Sequence, residues 1–212
     1  MGVKYNTSSF YETREATVQI ALYLTLGRLL LGPLFLLVYL YYSYLGISLT
    51  LLPYILLLLL SISEISDMLD GFFARKWNQV TELGKVLDPM ADSIARISVF
   101  LTFTQGLIQL PLILVFIFFY RDSIISTLRT ICALKGIALG ARITGKIKAI
   151  VQATASFMIV LLILLYSQQR ISLQMLQFSS LCIASLAACY TVISGIEYIY
   201  SNREYIRRAW VR

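Results

Sequence analysis

The sequence contains no histidine, only three cysteines and few charged residues, which make up 14% of its 212 residues. An ordinary soluble domain is about 25% charged and about 45–50% apolar, whereas this chain is 58% hydrophobic with a mean hydropathy of +0.78. The lack of histidine argues against a zinc or other imidazole-based site. The odd number of cysteines (Cys132, Cys182 and Cys189, all in apolar segments) predicts buried thiols rather than a disulfide framework. The scarcity of charge argues against a soluble fold.

Six apolar stretches fill most of the chain instead. Each is long enough to cross about 30 Å of hydrocarbon, which takes roughly 20 helical residues. They are Gln19–Ser43, Thr50–Arg75, Gly84–Thr104, Leu110–Leu134, Ile147–Tyr166 and Leu176–Tyr200. The connecting loops are short, so consecutive helices are expected to be antiparallel neighbours. The sequence predicts an all-α membrane protein, a bundle of six transmembrane helices over residues 19–202, with a cytoplasmic N-terminal segment at 1–18 and a basic cytoplasmic tail at 203–212.

The net charge of +7 is concentrated in alternate loops. The basic residues between segments two and three, between four and five, and after segment six are Arg75, Lys76, Lys85, Lys135, Arg142, Lys146, Lys148, Arg203, Arg207, Arg208 and Arg212. The loops on the opposite side carry almost no charge. By the positive-inside rule, both termini and both basic loops are expected to be cytoplasmic, in a multi-pass protein of the cell membrane. A nucleic-acid-binding function would need a polar domain to carry the basic patch, and the sequence offers none.

One cluster of ionisable residues, Glu64–Arg96, interrupts the apolar pattern. Ionisable side chains in a membrane-spanning segment are costly and usually face a cavity or a partner. The cluster contains two pairs of aspartates. Asp67 and Asp70 are three residues apart, and Asp88 and Asp92 are four apart, so each pair shares one face of its helix. The spacing therefore predicts two pairs of carboxylates that face each other across a tight cytoplasmic turn.

The depth of the two pairs is matched as well. Asp67 lies eight residues before Arg75, and Asp92 lies eight residues after Gly84, so both lie roughly 12 Å from the cytoplasmic helix ends. Four carboxylates at one level would repel each other strongly in a low-dielectric site. A hard divalent cation such as Mg²⁺ or Mn²⁺, which prefers oxygen ligands, would remove that repulsion. Without histidine, a general base is also expected to be a carboxylate.

Small residues accompany the carboxylates. Gly71, Ala74 and Gly84 would let a flat ligand approach the helix backbones closely. Each of them alone is explained better by close helix–helix packing, which small residues favour in membranes. Arg75 alone would be an interfacial residue whose charge reaches the headgroups. The joint pattern is more specific than its parts.

Eight of these positions together resemble the signature of the CDP-alcohol phosphotransferase family. They are Asp67, Asp70, Gly71, Ala74, Arg75, Gly84, Asp88 and Asp92, all at the family spacing. The likeness covers most of Leu24–Gln152. It implies a helical membrane enzyme that transfers a phosphoryl-alcohol group from a CDP-linked donor to an alcohol.

The resemblance also implies a role for each residue. Asp67, Asp70 and Asp88 are expected to hold Mg²⁺ or Mn²⁺. Asp92 is expected to be the general base for the attacking hydroxyl and to contact the metal as well. The residues expected to line the CDP site are Asp67, Gly71, Ala74, Arg75, Gly84 and Thr25.

The likeness over Leu24–Gln152 is strongest to one branch of the family. This branch implies particular substrates. They are CDP-diacylglycerol as donor and sn-glycerol 3-phosphate as acceptor, giving phosphatidylglycerophosphate and CMP in phospholipid biosynthesis. The residues expected to bind the acceptor phosphate are Arg121, Arg129, Lys146 and Lys148. Topology explains each of these charges about as well, except Arg121, which lies inside an apolar run. A homodimer is implied by the family alone.

Two departures from the family pattern bear on the acceptor. In the first helix Leu22 replaces the usual asparagine, although Thr25 and Arg28 remain. The lysine that commonly follows the last aspartate is Ser93, and Arg96 would supply the missing positive charge. The same chemistry with inositol phosphate or serine as acceptor therefore stays open. A transporter is a further alternative, but it predicts polar groups through the full membrane depth.

Overall fold

The computed structural model describes residues 27–76, 82–136, 139 and 142–211, and the side chains of all of these except 70–76, 82–89 and 208–211. Within these ranges every regular element is an α-helix. The helices are α1 (Gly27–Tyr41), α2 (Leu52–Lys76), α3 (Glu82–Thr102), α4 (Leu112–Leu134), α5 (Ile143–Ser167), α6 (Leu173–Ser201) and α7 (Arg203–Val211). The all-α fold that the sequence predicts is confirmed.

The helix ends differ from the predicted ones where local hydrogen bonding decides them. Helix α6 begins three residues before its predicted start because the hydroxyl of Ser172 accepts a hydrogen bond from the Met175 N–H at 3.2 Å. Such a cap satisfies a backbone donor that has no partner inside the helix. Helix α4 ends at Leu134, as predicted, because Gly136 adopts a φ of +74°, a left-handed conformation that terminates helices.

A seventh helix, α7, occupies the region that the sequence predicts only as a basic tail. It is separated from α6 by Asn202, a buried residue whose side-chain amide donates to the Tyr198 carbonyl at 2.8 Å. The guanidinium of Arg203 lies 4.4 Å from the centre of the Tyr200 ring, within cation–π range. Helix α7 packs against α4 and α6.

Helices α5 and α6 form the most extensive pair of the bundle. Helix α6 also packs against α4, while α2 lies against α5, and α3 lies against both α4 and α5. The core includes four phenylalanines, with ring centres 5.7 Å apart for Phe35 and Phe103 and 4.6 Å apart for Phe100 and Phe118. This packing fixes one end of the bundle and leaves the charged side chains to the other end.

The phenol of Tyr39 anchors the loop between α3 and α4. Its oxygen accepts hydrogen bonds from the N–H groups of Leu107 and Ile108, at 3.0 and 3.2 Å, and donates to the Gln105 carbonyl at 3.2 Å. Gly106 is required at this place for two reasons. Its φ is +66°, and a Cβ there would lie 2.9 Å from the tyrosine ring.

The outer surface of the bundle is apolar, as expected of a protein embedded in lipid. Leu186 and Phe178 on α6, for example, are 72% and 69% exposed. In the described part of the chain, three helices have stretches long and apolar enough to cross a membrane: Leu52–Leu69, Ile143–Ser167 and Leu173–Ser201. Charged residues interrupt the apolar runs of α3 and α4, and four of them, Asp92, Arg96, Arg121 and Asp122, belong to the clusters described below.

The cysteines only partly match the prediction. All three are free, and Cys132 is buried, but Cys182 and Cys189 are exposed on the outside of the bundle. Both lie on α6, whose apolar surface faces outward as well as inward. An apolar sequence context therefore does not distinguish a thiol in the core from one at a lipid-facing surface.

Candidate active site

Two carboxylates from different helices converge on one buried cation. Asp67 lies on α2 and Asp92 on α3, and both form ion pairs with the same nitrogen, Nη1 of Arg28 on α1. The Asp67 Oδ1 atom is 2.9 Å from it. The Arg28 side chain is only 2% exposed, so the three charges share a low-dielectric environment. One aspartate of each predicted pair thus lies at the same place in the bundle.

The position of these two carboxylates fits a divalent cation. Oxygen atoms from two helices already surround a single positive centre, and hard cations prefer such oxygen donors. Asp70 and Asp88 lie on the same two helices, but their side chains are outside the described residues. Among the side chains that are described, no group of three or more acidic or sulfur ligands could hold a metal. The complete four-aspartate set remains a sequence prediction.

A second guanidinium lies on the other side of Asp67. Arg96 is one helical turn beyond Asp92 on α3, and its Nη2 atom is 3.8 Å from Asp67 Oδ2. Its Nε atom is 3.9 Å from Oε1 of Glu64 on α2. Both distances permit ion pairing, but neither is a hydrogen bond. Arg96 therefore does supply positive charge beside the aspartates, in the region where the family usually has a lysine.

A buried ion cluster joins α4 and α5. The ammonium of Lys148 donates to both carboxylate oxygens of Asp122, at 2.7 and 2.8 Å, and these side chains are 6% and 7% exposed. Arg121 Nη1 donates to the same carboxylate at 3.1 Å. Two cations thus share one anion, and the cluster has a net positive charge of one. A buried excess charge of this kind is a suitable place for an anionic ligand.

Helix α6 makes room for the Arg121 side chain. A Cβ atom built on Gly195 would lie 3.0 Å from Cγ of Arg121, which is tighter than normal van der Waals contact. The small residue lets the guanidinium stem pass close to the α6 backbone. Gly145 at the start of α5 lies nearby as well, 3.8 Å from Arg121 Nη2 by the same measure. The sequence identifies Arg121 as a candidate but gives no sign of the part played by Gly195.

The structure divides the four predicted phosphate-binding residues. Arg121 and Lys148 lie together around Asp122. Arg129 lies two turns further along α4, where its Nε atom donates to the Tyr198 hydroxyl at 3.1 Å and its guanidinium lies 5.2 Å from that ring. Lys146 is exposed.

Glu197 ties α6 to the beginning of α5. Its carboxylate accepts hydrogen bonds from Arg142 Nη1 at 2.9 Å, from Thr144 Oγ1 at 2.7 Å and from Ser201 Oγ at 3.0 Å. It is the single charged residue of the α6 sequence, which is a signal that could have identified it. These bonds fix the first turn of α5, five residues before Lys148.

The remaining predicted residues lie where the structure gives no side chains. Thr25 precedes the described residues, and Arg75 belongs to the helical end of α2. The others whose side chains are outside the described set are Asp70, Gly71, Ala74, Gly84 and Asp88. Their backbones are helical, which agrees with the face-sharing that their spacing predicts.

Comparison with known proteins adds a family to this geometry. The family model described as CDP-alcohol phosphatidyltransferase matches residues 18–194, which is most of the chain and includes every residue of the two clusters. The match begins before α1 and ends within α6.

Relatives from several bacteria share one name, CDP-diacylglycerol--glycerol-3-phosphate 3-phosphatidyltransferase. The protein of Rickettsia typhi is 28% identical over 185 residues, which cover 86% of this chain and 96% of the relative. That of Bacillus subtilis is 31% identical over 150 residues, covering 71% and 74%. That of Aquifex aeolicus is 44% identical over 81 residues, covering 38% and 40%. The likeness to the Rickettsia typhi protein thus extends over most of both chains, and that to the Bacillus subtilis protein over nearly three quarters of each.

Proposed function

We propose that this chain, which belongs to the CDP-alcohol phosphatidyltransferase family, transfers a phosphatidyl group from CDP-diacylglycerol to sn-glycerol 3-phosphate and releases CMP. The observation that carries the proposal is the convergence of Asp67 and Asp92 from two helices on one buried site. These two residues are the first and last aspartates of the motif. The names of the relatives support the choice of both substrates.

The four aspartates share the work of the reaction. Asp67, Asp70 and Asp88 would hold the metal, with Asp92 beside it, and the bound Mg²⁺ or Mn²⁺ would neutralise the diphosphate of the donor. Asp92 would accept the proton of the acceptor hydroxyl as its oxygen attacks the phosphorus next to the diacylglycerol. The bond from that phosphorus to the oxygen bridging the two phosphates breaks, and CMP leaves with the bond electrons. No covalent enzyme intermediate is needed.

The donor nucleotide would lie at the C-terminal end of α2 and the N-terminal end of α3, which residues 77–81 connect in the sequence. The residues assigned to it are Asp67, Gly71, Ala74, Arg75, Gly84 and Thr25. The small residues would let the cytidine approach the helix backbones, and Arg75 would pair with a phosphate. The acyl chains would stay in the surrounding lipid, in keeping with the apolar outer surface of the bundle.

The acceptor phosphate would bind beside Asp122. Arg121 and Lys148 supply the charge there, and Asp122 holds both in place. Arg129 and Lys146 would act further out, one held by Tyr198 and the other exposed. A phosphate dianion suits arginine in particular because the guanidinium can donate two parallel hydrogen bonds.

The membrane arrangement that follows has six spans, both termini in the cytoplasm and the active site facing the cytoplasm of a cell-membrane protein. It would divide the chain into a segment at 1–18, a catalytic bundle at 19–202 and a basic tail at 203–212. A homodimer would agree with the family. The charges at the start of α5 and the end of α6 support this orientation, because Arg142 and Lys148 lie at the N-terminal end of α5 and Glu197 lies near the C-terminal end of α6.

A panel of alcohol acceptors tests the proposal. Purified protein would be given CDP-diacylglycerol, Mg²⁺ and one acceptor at a time, namely glycerol 3-phosphate, inositol phosphate, serine or glycerol. Mass spectrometry would identify the lipid product. We expect phosphatidylglycerophosphate from glycerol 3-phosphate and little product from the others. A preference for serine or inositol phosphate would refute the acceptor and keep the family, whereas a complete lack of transfer would favour a transporter.

A further inference from the structure

A polar recess lies behind the paired aspartates, deeper in the bundle. Its cavity volume of about 20 Å³, between α2, α3 and α5, is enough for a group the size of one water molecule. Its polar lining consists of Ser63, Glu64, Arg96, Gln152 and Ser156, and apolar side chains from α2 and α3, among them Leu60 and Phe100, complete the walls. Ionisable groups at this depth are costly and usually serve a function. Neither the metal nor the acceptor phosphate accounts for this recess.

Gln152 and Ser156 already have hydrogen-bond partners among the described residues. The Gln152 amide donates to the Thr191 hydroxyl at 3.3 Å, and the Ser156 hydroxyl donates to the Ala153 carbonyl at 2.7 Å. Among the described residues, by contrast, the buried Nε atom of Arg96 has no acceptor within hydrogen-bonding distance. Leaving a buried charged donor unsatisfied is energetically costly.

Glu64 stands opposite that donor. Its nearest carboxylate oxygen is 3.9 Å from Arg96 Nε, too far for a direct hydrogen bond. A hydroxyl group is the natural ligand for such a gap, because its oxygen can accept from the guanidinium while its hydrogen is donated to the carboxylate. An anion would be repelled by Glu64 and an ammonium group by Arg96.

The recess is also adjacent to the reacting groups. Glu64 is three residues before Asp67 on α2, and Arg96 is four residues after Asp92 on α3, so each is one turn deeper than its aspartate. Arg96 Nη2 lies 3.8 Å from Asp67. An acceptor whose attacking hydroxyl is at Asp92 would therefore place a neighbouring hydroxyl near the recess.

We propose that Arg96 and Glu64 form a subsite for the second hydroxyl of the acceptor, the one that does not attack. The inference rests on the proposed function and adds a specificity determinant to it. Arg96 donates to this hydroxyl, and Glu64 accepts from it. The subsite selects a polyol phosphate with adjacent hydroxyls over an alcohol phosphate that has only the attacking hydroxyl.

The test compares glycerol 3-phosphate with propane-1,3-diol monophosphate, which keeps the primary hydroxyl and the phosphate but lacks the hydroxyl on the central carbon. A site built to bond a hydroxyl strongly rejects the analogue that lacks it. We expect wild-type kcat/KM to favour glycerol 3-phosphate by at least about tenfold. Equal use of the two acceptors by the wild type would overturn the subsite and leave the proposed function standing. Transfer to neither acceptor would overturn both.

Two variants then locate the selectivity. Arg96→Met removes the donor with little change in volume, and Ser63→Val fills the recess without touching a charge. Each is expected to bring the ratio of the two kcat/KM values to within about threefold. Ser63→Val leaves the contact between Arg96 and Asp67 in place, so it should also leave the KM for CDP-diacylglycerol unchanged. If Arg96→Met fails to fold, the ratio of the two kcat/KM values of Ser63→Val tests the subsite by itself.

The matched control is Thr104→Val, in the turn that follows α3. The Thr104 hydroxyl donates to the Leu101 carbonyl in the last turn of α3, at 2.7 Å, so this variant should keep the wild-type ratio. A wild-type ratio in active Ser63→Val protein would show that the recess does not hold the acceptor hydroxyl. A ratio that fell equally in Thr104→Val would point to a general effect on the bundle and would contradict the subsite as well.

Discussion

At the scale of single residues, the charges of this protein are arranged as shared contacts rather than isolated pairs. Arg28 serves two aspartates, and Asp122 serves two cations. In a low-dielectric bundle this sharing offsets part of the desolvation free energy of each buried charge, whereas nothing would offset it for a single unpaired group. It also leaves each cluster with an excess of one sign of charge, which a charged substrate or a metal ion can neutralise. The residue-scale predictions test which member of each cluster does what.

Replacing the proposed base should separate chemistry from binding. Asp92→Asn removes the proton acceptor but keeps the side-chain shape, so turnover is expected to fall by about 10²–10⁴. Binding of CDP-diacylglycerol, measured by titration, should be largely kept. Asp67→Asn should weaken metal and donor binding together, because a metal ligand is lost. Near-native turnover of Asp92→Asn across the pH range would contradict the assignment.

The Asp122–Lys148 pair lends itself to a double-mutant cycle. Each side chain is buried, so Asp122→Asn removes the anion that Lys148 and Arg121 share and should destabilise the protein by roughly 3–5 kcal/mol. Lys148→Met leaves Asp122 paired with Arg121 and should destabilise it less. The double variant should recover part of that loss in thermal unfolding. Its KM for glycerol 3-phosphate should nevertheless be higher than that of the wild type, because the double variant lacks Lys148, one of the two cations proposed to bind the phosphate. A double variant with normal acceptor KM would show the pair to be purely structural.

At the scale of helices, periodicity predicts which segments are helical, and contacts between helices decide how they work. The apolar runs predicted six helices because each run is long and the loops are short. Helix α7 was missed because a short, charged segment gives no apolar run, and it forms where Asn202 ends α6 and α4 offers a surface. Close approach of α6 to α4 at Gly195 was equally invisible, since one small residue in an apolar helix has many explanations.

The clearance at Gly195 gives a prediction at this scale. Gly195→Ala should improve the intrinsic helix propensity of α6, yet its Cβ would push against the stem of Arg121. We expect the KM for glycerol 3-phosphate to rise about tenfold, because small displacements of a binding group are costly. The KM for the donor should stay the same. The control is Gly27→Ala in α1, where a Cβ meets no atom of the described residues within 4 Å. Unchanged kinetics in Gly195→Ala would show that Arg121 adapts freely.

At the scale of the whole molecule, the bundle is an apolar shell around charged side chains. In the described part of the chain, three stretches meet simple criteria for membrane spans, whereas α3 carries Asp92 and Arg96 and α4 carries Arg121 and Asp122. These charged residues lower the mean hydropathy of α3 and α4. The residues that give the two helices their proposed function therefore also keep them from meeting the hydropathy criterion. A transporter would be expected to carry ionisable groups along its full depth, whereas the opposite end here is closed by Tyr39 and an aromatic core.

Topology can be tested with single cysteines. In a protein lacking Cys132, Cys182 and Cys189, a Lys76→Cys probe at the end of α2 should react with a membrane-impermeant thiol reagent only after the cells are opened. A probe at Gly46→Cys, in the loop between α1 and α2, should react in intact cells. This outcome follows from the positive loops being cytoplasmic. The reverse labelling pattern would invert the orientation and place the active site outside.

The sequence allowed the motif to be predicted, but not its setting. Aspartates three or four residues apart must share a helix face, so their convergence follows from local geometry. The partners of these aspartates are distant in sequence, with Arg28 lying 39 positions from Asp67 and 64 from Asp92. Such contacts depend on how the helices pack, and no local spacing encodes them. The same holds for Arg129, whose partner Tyr198 is 69 positions away.

The central claim is that the acceptor oxygen itself attacks the donor phosphorus at the aspartate site. It is tested most directly with glycerol 3-phosphate labelled with ¹⁸O at its primary hydroxyl, given to purified protein with CDP-diacylglycerol and Mg²⁺. We expect the label to appear in the phosphodiester linkage of phosphatidylglycerophosphate, and CMP to be released only when acceptor and metal are both present. Loss of the label from the lipid product, or equal CMP release without glycerol 3-phosphate, would contradict the account.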